Sequence, residues 1–305
     1  MACTGCGRYS AEDPCRHPLC GETVVSLPKA SGAEVSLDRL IALGSFAAAK
    51  GVTGRSHGTA GGLSGPRRGE GGDLFDLRPY QQGDDVCRID PAATARSGRP
   101  QVRSRHEEVE ETMLLVADFR SSMLWGTRGR LRSVAAAEAL ALDGWCAVLA
   151  GARVGVLILG DSDVDYVAPR SRETAMLRVA SALARAHVLA LDARGTVPAT
   201  LATLLGGISA RAAPGTVVRL ATGLDDPGAD FGPAAAALMR KCQLGVLLVQ
   251  DAVEIEPPRG IFAAQLGRRI ARGRFGASGS AEFLENHGIP ARIVRAPQPI
   301  DEQAA

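Results

Sequence analysis

Two stretches of this chain hold residues whose types and spacing can do chemistry. Cys3, Cys6, Cys15 and Cys20, with His17 between the last two, crowd into the first 20 residues. Thiolates in the Cys3-x-x-Cys6 knuckle can take two corners of a zinc tetrahedron, with Cys15 and either Cys20 or His17 at the others. The second pair is irregularly spaced, so a metal-free leader is the alternative. The other stretch is Arg78-Pro79-Tyr80-Gln81-Gln82-Gly83-Asp84-Asp85-Val86-Cys87-Arg88-Ile89-Asp90. Gly83 permits a tight turn that aims Asp84 and Asp85 to one side, while Arg78, Arg88 and Arg96 offer planar forks able to hold carboxylates bidentately. Such a lattice can brace a loop against a domain or dock a partner. It does not suit catalysis, because no nearby histidine completes an acid–base pair with the carboxylates.

Other reaction classes lack their parts. The glycines of segment 54–72 are not followed by Gly-Lys-Ser/Thr, and no Gly-x-Gly-x-x-Gly links a strand to a helix, so nucleotide binding has no support. No Gly-x-Ser-x-Gly elbow occurs, and His106 and His187 stand outside any recognisable motif. The expectation is a protein without enzymatic activity.

The elements that must carry these residues can be read from periodicity. Leu37, Leu40, Ile41, Leu43 and Phe46 recur near helical spacing after Ser36, a good N-cap, and predict a helix over 36–50 that stops at Gly51. Segment 54–72 holds eight glycines and reads as a loop that divides the chain. From Thr112 onward the pattern is regular. Apolar runs at 113–118, 154–159, 217–221, 245–249 and 291–294 predict core strands, with an antiparallel edge strand at 164–167. Helices are expected near 130–150, 172–189, 198–205 and 234–242. Apolar strands alternating with helices imply a parallel sheet covered on both faces. The fold class expected is therefore α/β, doubly wound, with a mostly parallel sheet and an irregular N-terminal extension, and ligand sites beyond the carboxyl ends of the strands.

Composition narrows the setting. Hydrophobic residues make up 46% of the chain and aromatics 4%, so the core must be built from Ala, Val and Leu. Thirty-five basic residues against 33 acidic ones leave a charge of +2, too little for general attraction to nucleic acid or anionic lipid. Arg67, Arg68, Arg99, Arg103 and Arg105, with Arg268, Arg269, Arg272 and Arg274 later, form local clusters. Aromatic interleaving for base stacking is confined to Phe275, so these read as solvated charge and nucleic acid is not the expected partner. The best candidate for a membrane span, 140–159, is broken by Asp143 and Arg153, and the N-terminus lacks the pattern of an export signal. A cytoplasmic protein without a membrane span is expected, with Cys87, Cys146 and Cys242 as reduced structural thiols.

The segment from Arg78 to Asp90, continued by Ala93-Thr94-Ala95-Arg96 and Val102-Arg103, resembles the signature of the bacterial domain of unknown function 58 family. Asp251-Ala252-Val253-Glu254, followed by Pro258 and Gly260, extends the similarity, which runs from about Leu37 to Gly260; Pro91 stands where the family pattern has Trp. The resemblance implies a von Willebrand factor A-like domain after the signature and a protein partner, a MoxR-type AAA+ ATPase, in assembly or maturation of other proteins. It also implies a cation loop after the first strand, of pattern Asp-x-Ser-x-Ser. Here that loop reads Asp118-Phe119-Arg120-Ser121-Ser122, and Thr222-Gly223 stands where the family tends to have Ser-Asp. Asp118, Ser122 and Asp225 would form a weak, degenerate oxygen set, Asp226 being the alternative to Asp225. Arg120 brings a positive charge where magnesium wants a lone pair, so a metal-free pairing of Arg120 with Asp118 is expected. The organisation that follows is a Cys-rich leader over 1–35, a helix, Gly-rich loop and signature over 36–110, the A-like domain over 111–296 and a tail over 297–305.

Overall fold

A computed structural model describes residues 27–29, 31–49, 68–106, 111–193, 199–266, 269–276 and 278–304, with backbone alone at 68–76, 103–106, 264–266, 269 and 271. The chain divides into two compact units, one of residues 55–111 and one of residues 1–54 with 112–305.

In the smaller unit, β1 (Arg68–Pro79) pairs antiparallel with β2 (Gln101–His106), with register shifts along the ladder. The connection between them carries the signature. Strand β1 starts inside the segment expected to be loop, since Arg68 to Gly72 are already extended, whereas residues 51–67 lie outside the described ones.

The larger unit is built on a six-stranded sheet. Its strands are β3 (Thr112–Asp118), β4 (Arg153–Leu159), β5 (Val164–Arg170), β6 (Val217–Thr222), β7 (Gln243–Gln250) and β10 (Ala291–Arg295), in spatial order β10-β7-β6-β3-β4-β5. All pairings are parallel except the β4–β5 hairpin at the edge. The separate hairpin of β8 (Phe262–Leu266) and β9 (Arg269–Gly273) is joined to no other described strand.

The period-two geometry of a strand sorts the apolar runs onto two faces. Leu115, Ala117, Val154, Val156 and Ile158 point into one core, and Leu114, Val116, Leu157, Leu159, Leu220 and Leu248 into the other. The first core is closed by α1 (Leu37–Ala49), α3 (Arg132–Leu149) and α4 (Glu173–Asp192), the second by α5 (Leu201–Arg211), α6 (Phe231–Met239) and α8 (Ser280–Asn286). The remaining helices are α2 (Pro91–Ser97) in the smaller unit and the short α7 (Ala252–Ile255) and α9 (Ile300–Gln303). Central placement of β3, with β4 and β6 on its flanks, sends its last residue, Asp118, to the middle of the sheet's carboxyl edge.

Helix α3 is buried on almost every side because it lies between the sheet and other helices, which explains its run of alanines. Helix α1 covers it with Leu40, Leu43 and Ala47, each buried apolar side chain of Leu size contributing about 1.5–3 kcal/mol. The indole Nε1 of Trp145 in α3 donates to the Leu40 carbonyl at 2.8 Å. Arg39 is buried as well, and its guanidinium meets Glu138 of α3 at 2.8 Å and Asp301 of α9 at 2.5 Å, while Arg130 meets Glu138 at 2.8 Å. These contacts correct the grouping expected from sequence. Helix α1 belongs with the sheet and not with the signature, and the C-terminal residues are part of the fold, Ile300 being buried.

Helix α4 also departs from expectation, since by length and composition alone it could cross a membrane. Its Met176, Val179, Ala180, Ala182 and Leu183 are buried in the first core, and Leu177, Val188 and Leu189 face outward.

Candidate functional site

The carboxyl end of β3 delivers Asp118 into a fully buried position, and the chain turns so that Arg120 folds back upon it. Arg120 Nε donates to Asp118 Oδ1 and Nη2 donates to Oδ2, both at 2.8 Å, a bidentate fork. The remaining reach of the guanidinium goes to carbonyls: Nη1 donates to Ala199 at 2.8 Å and Nη2 to Asp225 at 3.2 Å. Thr222, the last residue of β6, donates its hydroxyl to Asp118 Oδ2 at 2.7 Å and accepts from the Leu224 amide at 3.0 Å. Burial alone would favour loss of the Arg120 proton, but the hydrogen bonds and charge of Asp118 hold its pKa above the ordinary value.

A second buried guanidinium stands beside the first. Arg132, at the start of α3, is fully buried, donates to Asp225 Oδ2 at 2.6 Å and reaches Glu254 Oε2 at 3.3 Å, as well as the Ser122 carbonyl. The indole of the partly exposed Trp125 lies over its guanidinium at 4.3 Å, a cation–π contact. Gly223 leaves the space for this arrangement, since a Cβ there would come within 2.5 Å of Arg132 Nη1. The loop that follows β6 has left-handed backbone at Leu224 (φ 62°) and Asp226 (φ 44°), conformations that cost non-glycine residues energy and collect at functional sites.

Asp251, at the end of β7, closes the cluster. Its carboxylate accepts from the Thr127 amide at 2.9 Å, the Thr127 hydroxyl and the Val253 amide, while Glu254 accepts from the Asp251 amide at 2.7 Å, a reciprocal capping box for α7. Burial works against the Asp251 charge, but the Thr127 and backbone donors hold its pKa below the usual carboxylate range. The sequence shows this box as Asp-x-x-Glu; it does not show that Glu254 also reaches Arg132. Around the cluster the rim is acidic: Asp161 accepts from the Ser121 amide at 2.8 Å, and Asp163, Asp226 and Asp230 are exposed or half-buried.

The residues named as a weak, degenerate cation set do not fit a cation. Both oxygens of Asp118 face the Arg120 guanidinium, and the Asp225 carboxylate is taken by Arg132, so the oxygen set of Asp118, Ser122 and Asp225 is dissolved. Ser122 Oγ is buried without a hydrogen-bond partner among the described residues, one oxygen where a divalent ion needs about six. Among the described residues no cluster of three His, Cys, Asp or Glu side chains could hold a metal. Cys3, Cys6, Cys15 and Cys20 lie outside the described residues.

The signature residues sit in the smaller unit, and their geometry is local. Arg78 makes a bidentate pair with Asp84 at 2.5 and 2.6 Å, and the Gln81 amide adds a third contact, so Arg78 and then Gln81 hold the Asp84 carboxyl at about 2. Gly83, at φ 108°, makes the turn. Asp85 accepts from the Cys87 amide, and Asp90 caps α2 through the Ala93 amide at 2.8 Å, with Pro91 at a first-turn position suited to its fixed φ. The Tyr80 amide donates to the Pro100 carbonyl at 2.9 Å. Arg78 forms the expected carboxylate fork, Arg88 Nε lies 3.9 Å from Asp85 Oδ2, and Arg96 Nε donates to the Ala92 carbonyl at 3.3 Å. Arg96 lies on α2, one turn after that carbonyl.

His187, which belongs to no recognisable motif, has a hydrogen-bonding partner in Ser133. It is fully buried on α4, its Nε2 lies 2.9 Å from Ser133 Oγ, and Phe119 meets its ring edge-on at 5.3 Å. Nδ1 has no hydrogen-bond partner among the described residues and burial lowers the imidazole pKa to about 4, so the ring is neutral at pH 7. A buried serine whose histidine has no orienting carboxylate lacks both access and the third member of a nucleophilic triad.

The fold and this centre define an α/β protein with a mostly parallel sheet and a cluster of buried arginine–carboxylate pairs at its carboxyl edge. The chain belongs to the family described as Protein of unknown function DUF58, whose model matches residues 76–261. The match begins within β1, so α1 lies before it, and it ends before the β8–β9 hairpin. The chain is 34% identical over 122 residues to uncharacterised proteins of Mycobacterium tuberculosis (Rv1480) and Mycobacterium bovis (Mb1516), an overlap of 39% of this chain. It spans 38% of the length of these relatives. Among solved structures it is similar to conserved hypothetical protein BatB from Bacteroides thetaiotaomicron (TM-score 0.42, 15% identity, 64% of this chain and 94% of that one). An aerotolerance-related membrane protein from Bacteroides fragilis, with multiple mutations to serines, gives a TM-score of 0.39 at 12% identity, with the same coverage.

Proposed function

We propose that this protein is a non-enzymatic adaptor with a von Willebrand factor A-like domain, whose strand-end loops bind a protein partner without a metal ion. The observation that carries this reading is the Arg120 guanidinium, clamped between the Asp118 carboxylate and the carbonyls of Ala199 and Asp225. That clamp ties the loops after β3 and β6 together, which is the work a divalent ion would do in an A-like domain. What the clamped loops present outward is Trp125 and the carboxylates of Asp226 and Asp161, a surface suited to a basic, partly apolar patch on another protein.

The partner proposed is a MoxR-type AAA+ ATPase, with the complex acting in the cytoplasm on assembly or maturation of other proteins. The family resemblance supports this choice. Co-elution of the purified chain with the MoxR-type ATPase of the same organism tests it. Binding is expected to survive EDTA and to weaken at least ten-fold in Trp125→Ala, a substitution typical in size for an aromatic anchor. No complex, or a complex dissolved by EDTA, contradicts the proposal.

A further inference from the structure

The hairpin of β8 and β9 stands outside the family match and outside both sheet-packed cores, yet it carries a concentration of exposed apolar side chains. Ile261 is 69% exposed, Ile270 67%, Phe275 50% and Phe262 41%. Phe262, at the start of β8, and Phe275, two residues after β9, touch edge to face at 5.2 Å, so the hairpin's open end gathers its aromatic rings at one place. Between Pro258 and Ala281 the sequence has five arginines, Arg259, Arg268, Arg269, Arg272 and Arg274, and no acidic residue. Of these, Arg259, Arg272 and Arg274 are described with their side chains, and all are exposed. A two-stranded hairpin by itself is marginally stable in water, and both edges of this one are unpaired among the described strands.

We infer that this hairpin is a peripheral membrane-binding element whose ligand is an anionic phospholipid surface. The chemistry matches on both counts. Aliphatic and aromatic side chains gain by entering the boundary between headgroups and acyl chains, and arginines beside them meet lipid phosphates while their stems lie along the apolar region. A net charge of five without compensation is complementary to an anionic leaflet. Single-stranded nucleic acid fits less well. Its bases need free aromatic faces, whereas the rings of Phe262 and Phe275 engage each other, and Ile261 and Ile270 offer nothing to a phosphate backbone.

The test uses the full chain with vesicles of equal parts phosphatidylglycerol and phosphatidylcholine, beside vesicles of phosphatidylcholine alone, the bound fraction being read by sedimentation. Binding is expected to the anionic vesicles, to fall as salt rises, and to be weak on the neutral ones. Arg272→Ala with Arg274→Ala should weaken it roughly 25-fold, at about five-fold for each arginine near the surface. Ile270→Ser with Phe275→Ser should abolish it. These side chains already face solvent, so circular dichroism of each variant should match the wild type, and Phe275→Trp gives an independent reading through a blue shift on addition of anionic vesicles. The inference is overturned by absence of binding to anionic vesicles at low salt. Equal binding to neutral ones, binding unchanged in both double variants, or preference for a single-stranded oligonucleotide at the same ionic strength would overturn it too.

Discussion

The signature turn and the strand-end centre are both built from arginine and aspartate, yet they solve different problems. At the turn, Arg78 and Asp84 are six residues apart, and their side chains remain 28% and 18% exposed. At the strand ends, Arg120 and Asp118 are 1% and 0% exposed, and the same guanidinium reaches segments 79 and 105 residues away. The first pair shapes one loop, with water still available to either partner. The second fixes the relative position of three loops, and neither partner can be removed without leaving the other as a buried charge. Identical chemistry is therefore a local brace in one place and a tertiary clamp in the other, and burial makes the difference.

This contrast can be broken or sharpened by substitution. The largest effect is expected from Arg120→Met, which strands the Asp118 carboxylate: a loss of about 3–5 kcal/mol in denaturant unfolding. The double variant Arg120→Met with Asp118→Asn should regain part of it, because the unpaired charge is gone. Should Arg120→Met unfold no more easily than a surface variant, the clamp has no energetic weight.

The neighbouring histidine gives a pH-dependent reading of the same core. The unfolded chain titrates His187 near 6.5, and the folded one near 4 because burial disfavours the charged ring. Between these values the unfolded state binds the proton and the folded state does not. Stability from this group is thus intact above pH 6.5 and is lost as pH falls toward 4, by at most about 1.4 kcal/mol per unit. Unfolding midpoints measured across that window should decline more steeply for the wild type than for His187→Gln.

A smaller loss, about 1–3 kcal/mol, is expected for Gly223→Ala, whose added methyl presses on the Arg132 guanidinium. Thermal unfolding reads it, and an unchanged midpoint would mean that the loop yields freely. The smallest effect is expected from Arg78→Ala at the signature turn, a melting curve within the scatter of the wild type, since the pair is solvated. A large loss there would erase the distinction between the two regions.

How much of this could be read from sequence follows the same division. Met113 to Asp118 is legible as a core strand because both its faces are buried, which leaves a continuous apolar run. The inward turn of Arg120 is also legible, because a positive charge two residues from a buried carboxylate has a partner within reach. Arg132 is not: its partners Asp225 and Glu254 lie 93 and 122 residues further on, and only the sheet order brings them together. Ser133 and His187 are 54 residues apart on separate helices, with no shared motif to announce the pair. Strand β1 is hidden by its glycines, which composition assigns to a loop. Helix α2, capped by Asp90, is hidden because its seven residues carry no apolar periodicity. Spacing within one loop is visible to a sequence; contact across a sheet edge is not.

The measurement that tests the clamp most directly is calorimetric titration of magnesium and manganese into the wild type and into Arg120→Ser. If the guanidinium occupies both oxygens of Asp118, the wild type should give no binding heat, and Arg120→Ser, with Asp118, Ser122 and a new hydroxyl open to oxygen coordination, should acquire it. Tight binding of either ion by the wild type would contradict the account.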